Sequence, residues 1–147
     1  MRESGAERRM KMKNRYNIYP LGVIRKEKDS VRIEIEQTYR DAFLGLDGFS
    51  HIAVLYWFHE NDTPEKRQTM QVHPRKNIQI PLTGVFATHS PLRPNLIGLT
   101  ICKIIAINDT TIFIEDIDAR DGSPVIDIKC FIPCSNLGSD IKLPDWV

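Results

Sequence analysis

Gly84-Val-Phe-Ala-Thr-His-Ser-Pro-Leu-Arg-Pro-Asn-Leu-Ile-Gly98 is the stretch from which the rest of the chain can be read. Val85, Phe86 and Ala87 read as a buried strand. Ile97, Leu99, Ile101 and Ile104 mark a second strand. Between them Pro91 and Pro94 bracket Arg93. Prolines do not propagate a helix, and each pushes the residue before it toward extended geometry. The result is a stiff loop holding one guanidinium, the Asn95 carboxamide and the hydroxyls of Thr88 and Ser90. On a β scaffold such a loop suits a ligand. It equally suits a proline-stabilised turn with an exposed arginine.

Toward the N-terminus, Phe49-Ser-His-Ile-Ala-Val-Leu-Tyr-Trp-Phe58 is the most hydrophobic run, and its β-branched and aromatic content predicts a central strand. Val31-Arg-Ile-Glu-Ile-Glu36 alternates apolar and charged residues, the period of a half-buried strand, and Lys28-Asp29 is the turn before it. Tyr16 to Ile24 reads as the opening strand, with Pro20 marking an edge or the start of pairing. Tyr39 to Leu46 predicts a short helical turn with Ala42, Phe43 and Leu46 on one face. Glu60 to Lys76 is polar and contains Pro64 and Pro74, so it predicts a long loop, partly helical around Glu65 to Thr69.

Toward the C-terminus, Ile101 to Ile107 and Thr111 to Glu115 flank the turn Asn108-Asp109, predicting a hairpin. After the Asp121-Gly122 turn, Val125 to Ile132 reads as the last strand, with Asp127 and Lys129 on one face. Many short strands without βαβ alternation, and no GxGxxG loop, predict a mainly β fold and exclude a Rossmann-type domain. We expect a single small β-barrel domain over 16–136, with a basic leader over 1–15. A tail follows over 137–147, in which Trp146 packs back.

The 20 Lys and Arg nearly balance the 19 Asp and Glu, so bulk charge does not announce a nucleic-acid binder, although a local basic surface remains open. No apolar run is long enough to cross a membrane and the N-terminus lacks a signal-peptide core, so a cytoplasmic protein is expected. Cys130 and Cys134 are four apart, but no second pair completes a zinc site. His51, His59, His73 and His89 form no metal-spaced pair. We expect no metal, and reduced, half-buried thiols.

Four motifs in order carry a family resemblance. They are Tyr16 to Ile24; Gly45-Leu-Asp-Gly-Phe-Ser-His-Ile52 with Leu55-Tyr-Trp-Phe-His59; Val72-His-Pro74 leading to Gly84 through Leu99; and Asp121-Gly-Ser-Pro-Val-Ile-Asp-Ile-Lys129. Together they resemble the TsaA-like (TrmO-type) S-adenosylmethionine-dependent tRNA methyltransferases. The resemblance implies a small, usually dimeric β-barrel enzyme that methylates N6 of threonylcarbamoyladenosine beside the tRNA anticodon. It places S-adenosyl-L-methionine near the central loop and the subunit interface. The chain departs from the family pattern at His89 (usually Arg), Leu96 (usually Pro), Cys130-Phe131 (usually Pro-Tyr) and Asn136 (usually Asp).

Under that resemblance the cofactor-binding candidates are Phe86, Ala87, Thr88, His89, Ser90, Arg93, Asn95, Pro124 and Val125. Arg93 suits two-pronged pairing with a carboxylate or phosphate; a surface or interface salt bridge is its plainer role. Asp127 is the candidate catalytic proton acceptor, and Lys129 the partner for the anionic threonylcarbamoyl group. The same two residues also fit an ordinary same-face ion pair. Arg67, Arg75 and Lys76 are candidate tRNA phosphate contacts, or simply solvated. His51 reads as a structural histidine, and Tyr56, Trp57 and Phe58 as core. Two rival readings remain: a same-fold methyltransferase on another substrate, and a nonenzymatic barrel binding cofactor or RNA.

Overall fold

The computed structural model describes residues 14–138 and 140–147. Its strands are β1 (Gly22–Glu27), β2 (Ser30–Ile35), β3 (His51–Trp57), β4 (Gln71–Val72), β5 (Thr83–Gly84), β6 (Ile97–Asn108), β7 (Thr111–Ile114) and β8 (Pro124–Cys130). Six of them close into an antiparallel barrel in the order β1-β2-β7-β6-β3-β8, with β8 returning to β1. β4 and β5 form a separate two-stranded ribbon. One helical turn, α1 (Pro64–Gln68), lies in the polar segment, as the sequence predicts.

Period-two patterning builds the wall. In β2, Ile33 and Ile35 turn inward while Arg32 and Glu34 face out; in β3, Ile52, Val54 and Tyr56 turn inward. Ile24, Ile33, Ile52, Val54, Ile112, Ile114 and Val125 fill the interior. The β1–β2 hairpin turns on Lys28-Asp29 and sets Arg25 opposite Arg32, a like-charge pair that is unfavourable alone. Glu34 accepts from Arg32 at 2.8 Å and lies 3.7 Å from Arg25, and Glu27 accepts from Arg32 at 3.0 Å. Those contacts neutralise the pair.

Several expectations change. Pairing begins at Gly22 rather than near Tyr16, and Tyr16 is 88% exposed; Pro20 has no N–H to offer a ladder. Of the face predicted for Tyr39 to Leu46, only Phe43 and Leu46 pack on the core. The segment is two 3₁₀ turns broken at Gly45 (φ 85°) rather than one helical face, and Ala42 is exposed. Val85–Ala87 is a 3₁₀ turn, not a strand, because β5 is a two-residue ribbon edge that cannot extend the barrel. Val85 is buried and Phe86 is 84% exposed. β8 ends at Cys130, leaving Phe131 and Ile132 outside it. Trp146 is half-buried. Of the expected leader, residues 1–13 lie outside the described residues.

Candidate functional site

The loop from Val85 to Leu96 enters from the ribbon and leaves into β6, and it is tied mainly to itself. Val85 N–H donates to the Met70 carbonyl at 2.9 Å. The Thr88 hydroxyl donates to the Val85 carbonyl (2.9 Å) and accepts from Ser90 N–H (3.1 Å), while the Ser90 hydroxyl accepts from Leu92 N–H (3.1 Å). Such short side-chain-to-backbone bonds are how Ser and Thr stabilise turns. Arg93 closes the loop from inside. Its Nη1 donates to the carbonyls of Thr88 (3.2 Å) and Ser90 (3.1 Å), and its Nη2 lies 3.5 Å from that of Val85. Among the described residues Arg93 makes no ion pair, and its contacts within the chain hold the loop. A guanidinium has five N–H groups, so donors remain for an anion. Leu96 is wholly buried, and its carbonyl accepts from Phe58 N–H at 2.8 Å. His89 and Asn95 are exposed.

Strand register places the other candidates. The loop's exit, the end of β3 and the start of β8 lie at one end of the barrel, since Trp57 pairs with Ile97 and Tyr56 with both Gly98 and Val125. Pro124 is half-buried. Val125 is fully buried in the core and its carbonyl accepts from Leu21 N–H at 2.8 Å, so its side chain is not offered to a ligand. Farther along β8, Asp127 pairs with Leu55 and Lys129 with Ala53, both on the outer wall. Lys129 Nζ lies 3.0 Å from Asp127 Oδ2. The expected shared face is present, and the two groups meet there.

The outer wall beside this pair is apolar. Leu55 pairs with Leu99 and Ala53 with Ile101, and Leu99, Ile101, Ile97 and Ile105 are all exposed. Alternation alone does not say which side of β6 faces inward, because both sides carry apolar residues.

The three basic candidates separate. Arg67 Nε donates to Asp62 Oδ1 at 2.8 Å, its Nη1 donates to the Pro94 carbonyl at 3.2 Å, and its guanidinium lies 5.3 Å from the Trp57 ring centre. These contacts hold it against the protein, and its side chain is still 35% exposed. Arg75 and Lys76 are exposed, both at φ 56°, a left-handed conformation unusual for non-glycine residues. His51 Nδ1 shares a 2.7 Å hydrogen bond with the Ser50 hydroxyl and meets Phe131 edge-on, in keeping with a structural role. Tyr56 is core, Phe58 packs against it and Trp57 is half-buried. The cysteines differ from the half-buried expectation: Cys102 is buried, and Cys130 and Cys134 are exposed. Among the described residues no group of three or more His, Cys, Asp or Glu is placed to hold a metal ion, and no helix is long and apolar enough to cross a membrane.

Sequence reading did not single out Asp62, which joins Trp57 to Arg67. The five-residue steps from 57 to 62 to 67 match no helix or strand period.

Residues 12–136 match the model of the tRNA-methyltransferase O N-terminal domain. The chain belongs to that family. It is 48% identical over 116 residues to a probable S-adenosyl-L-methionine-binding protein of Pyrococcus horikoshii, covering 79% of this chain and 82% of that protein. A protein of the same description from Methanocaldococcus jannaschii is 45% identical, covering 79% and 92%. The mouse tRNA (adenine(37)-N6)-methyltransferase is 38% identical over 102 residues, 69% of this chain but 23% of that enzyme. A TrmO crystal structure shares the fold at TM-score 0.68 and 24% identity, covering 88% of this chain and 64% of that one. The chain therefore spans under two thirds of that structure and about a quarter of the mouse enzyme.

Proposed function

We propose that this protein is an S-adenosyl-L-methionine-dependent methyltransferase acting on N6 of threonylcarbamoyladenosine in the tRNA anticodon loop, in the cytoplasm and as a homodimer. The observation that carries the reading is the self-tied Val85–Leu96 loop at the barrel's end, in a chain of this family. Relatives named as S-adenosyl-L-methionine-binding proteins and as a tRNA adenine methyltransferase support the cofactor and the substrate class.

The donor set suits the cofactor. Phe86 offers an exposed ring and Ala87 its backbone to an adenine. The Ser90 hydroxyl, His89 and Asn95 can meet ribose and amino-acid groups. The uncommitted N–H donors of Arg93 suit the carboxylate. When bound, the cofactor would supply an electrophilic sulfonium methyl for N6. Asp127 takes the displaced N6 proton. Lys129, which holds Asp127 at 3.0 Å, moves to the substrate's threonyl carboxylate and frees Asp127 to do so. Arg75 and Lys76 contact tRNA phosphates. Holding nucleophile and methyl in line accounts for much of the rate, on the order of 7 kcal/mol or more in favourable cases.

The first test is isothermal titration with S-adenosylmethionine and S-adenosylhomocysteine, followed by methyl transfer to tRNA carrying threonylcarbamoyladenosine. We expect both ligands to bind, Arg93→Ala to weaken both, and Asp127→Asn to abolish transfer while keeping binding. Failure of either ligand to bind would overturn the reading. Transfer to a small molecule alone would favour the different-substrate reading, which His89 and Phe131 in place of the family's arginine and tyrosine support. Binding without any transfer would favour a nonenzymatic barrel.

A further inference from the structure

We propose that Arg67 is a positioning residue that, anchored by Asp62, fixes the Val85–Leu96 loop against the end of β3 and so sets cofactor affinity. The inference rests on the cofactor reading above. Three contacts converge on one guanidinium: the Asp62 carboxylate, the Pro94 carbonyl and the face of Trp57. Asp62 is held from both sides, because its second oxygen accepts from Trp57 Nε1 at 3.2 Å. Trp57 ends β3, a strand paired on both edges, so the anchor sits on the firm part of the barrel.

Pro94 lies between Arg93 and Asn95, the loop's guanidinium and its carboxamide. The Arg93 bonds hold the loop's internal shape, whereas the Arg67 bond is side-chain contact from outside that sets the loop's placement. The entry is held by Val85 N–H on the Met70 carbonyl and the exit by the Leu96 carbonyl on Phe58 N–H; the Arg67 bond at Pro94 adds a side-chain tie just before that exit, next to Arg93 and Asn95.

Ordinary exposed ion pairs contribute little. This one differs because the planar fork serves a carboxylate and a carbonyl at once while stacking on an indole, which an ammonium cannot reproduce. Arg67 and Trp57 hold the Asp62 carboxyl below the usual carboxylate range, so the anchor keeps its charge at neutral pH. The helical turn that carries Arg67 is itself tied down. Thr63 caps it by accepting from Lys66 N–H at 3.3 Å, Lys66 Nζ donates to the Glu60 carbonyl at 3.0 Å, and Arg120 pairs with Glu60 at 3.0 Å.

Arg67→Gln, Asp62→Asn and Arg67→Lys, made in the full chain, test the proposal by two readouts. Hydrogen exchange over residues 85–96 reports loop placement without any ligand. Titration with S-adenosylhomocysteine reports affinity. We expect Arg67→Gln and Asp62→Asn each to speed exchange in that segment alone and to weaken binding by roughly tenfold, the cost of a charge-assisted hydrogen bond. Arg67→Lys should fall between. In a Trp146→Phe background, Trp57 fluorescence should change in all three.

Asp62→Asn separates this role from RNA contact, since removing the carboxylate would free Arg67 for a phosphate and strengthen RNA binding. Unchanged exchange and affinity in both Arg67→Gln and Asp62→Asn would overturn the proposal. So would loss confined to RNA binding. If the unaltered chain bound no S-adenosylhomocysteine yet both variants loosened the loop, the cofactor reading would fail and the tether would stand. Asp62→Asn, nearly isosteric, keeps the test open if Arg67→Gln folds poorly.

Discussion

Burial separates three chemically identical side chains. Cys102 points into the barrel from β6, its thiol pushed up to about 11 by burial, with Asp116 adding to the effect, while Cys130 and Cys134 are exposed. The reactive species is the thiolate, so Cys102 is protected twice, by access and by ionisation. A disulfide-exchange reagent at neutral pH should therefore label Cys130 and Cys134 quickly and Cys102 only after unfolding. Fast labelling of all three would mean that β6 opens readily in the native state. These cysteines were not separable from sequence, because each lies in or beside an apolar run and burial depends on which side of the wall the strand turns inward. Arg93 and Arg67 teach the same lesson. Both were legible as functional arginines, yet what each guanidinium touches is set by chain segments distant in sequence.

At the level of elements, β6 is the strand on which the site depends, since it carries the loop's exit and half of the outer wall. Its position is fixed by a close approach at Gly98. A Cβ there would come 2.5 Å from Tyr56 Cε2 and 2.9 Å from Phe58 Cζ. Those two rings meet edge-to-face at 5.6 Å, and the Tyr56 hydroxyl bonds to Thr100 Oγ1 at 3.2 Å, so neither ring swings away cheaply. Gly98→Ala should destabilise the fold by about 1–3 kcal/mol, as overpacking generally does. Urea denaturation checks it: an unchanged midpoint would mean that the rings yield. β6 itself was legible from its apolar run, as β2 and β3 were from theirs. The Val85–Ala87 strand was not correctly legible, because three apolar residues in a row satisfy a strand and a 3₁₀ turn equally. Only the two-residue ribbon partner decides between them.

For the whole molecule, the six-stranded sheet closes on itself through a short seam, where Gly22 and Val23 of β1 pair with Val125 and Pro124 of β8. Part of the outer face is apolar and exposed. Ile97, Leu99 and Ile101 line one outer strip of β6, across β3 from the Asp127–Lys129 pair on β8. Contiguous apolar strips of this kind mark association surfaces. A homodimer that used this strip as its isologous contact would bring the partner close to Asp127 and Lys129. Light scattering should then give a dimer for the unaltered chain, and a folded monomer for the double variant Leu99→Lys, Ile101→Glu. A dimer that survives both charges would move the interface elsewhere.

The sequence by itself determined the β class, the hairpins at Lys28-Asp29 and Asn108-Asp109, and the stiff loop around Arg93. Each of these follows from local causes: alternation, turn residues and prolines. It also carried the family, through motifs whose order needs no coordinates. Only the tertiary structure decided that the strands close on one another, that Arg93 grips its own loop, that Arg67 is bound to Asp62 and Pro94, and that β6 turns Leu99 and Ile101 outward. The physical reason is common to all four. Each depends on which distant groups share a neighbourhood, and in a strand with apolar residues on both faces one residue of register inverts the answer.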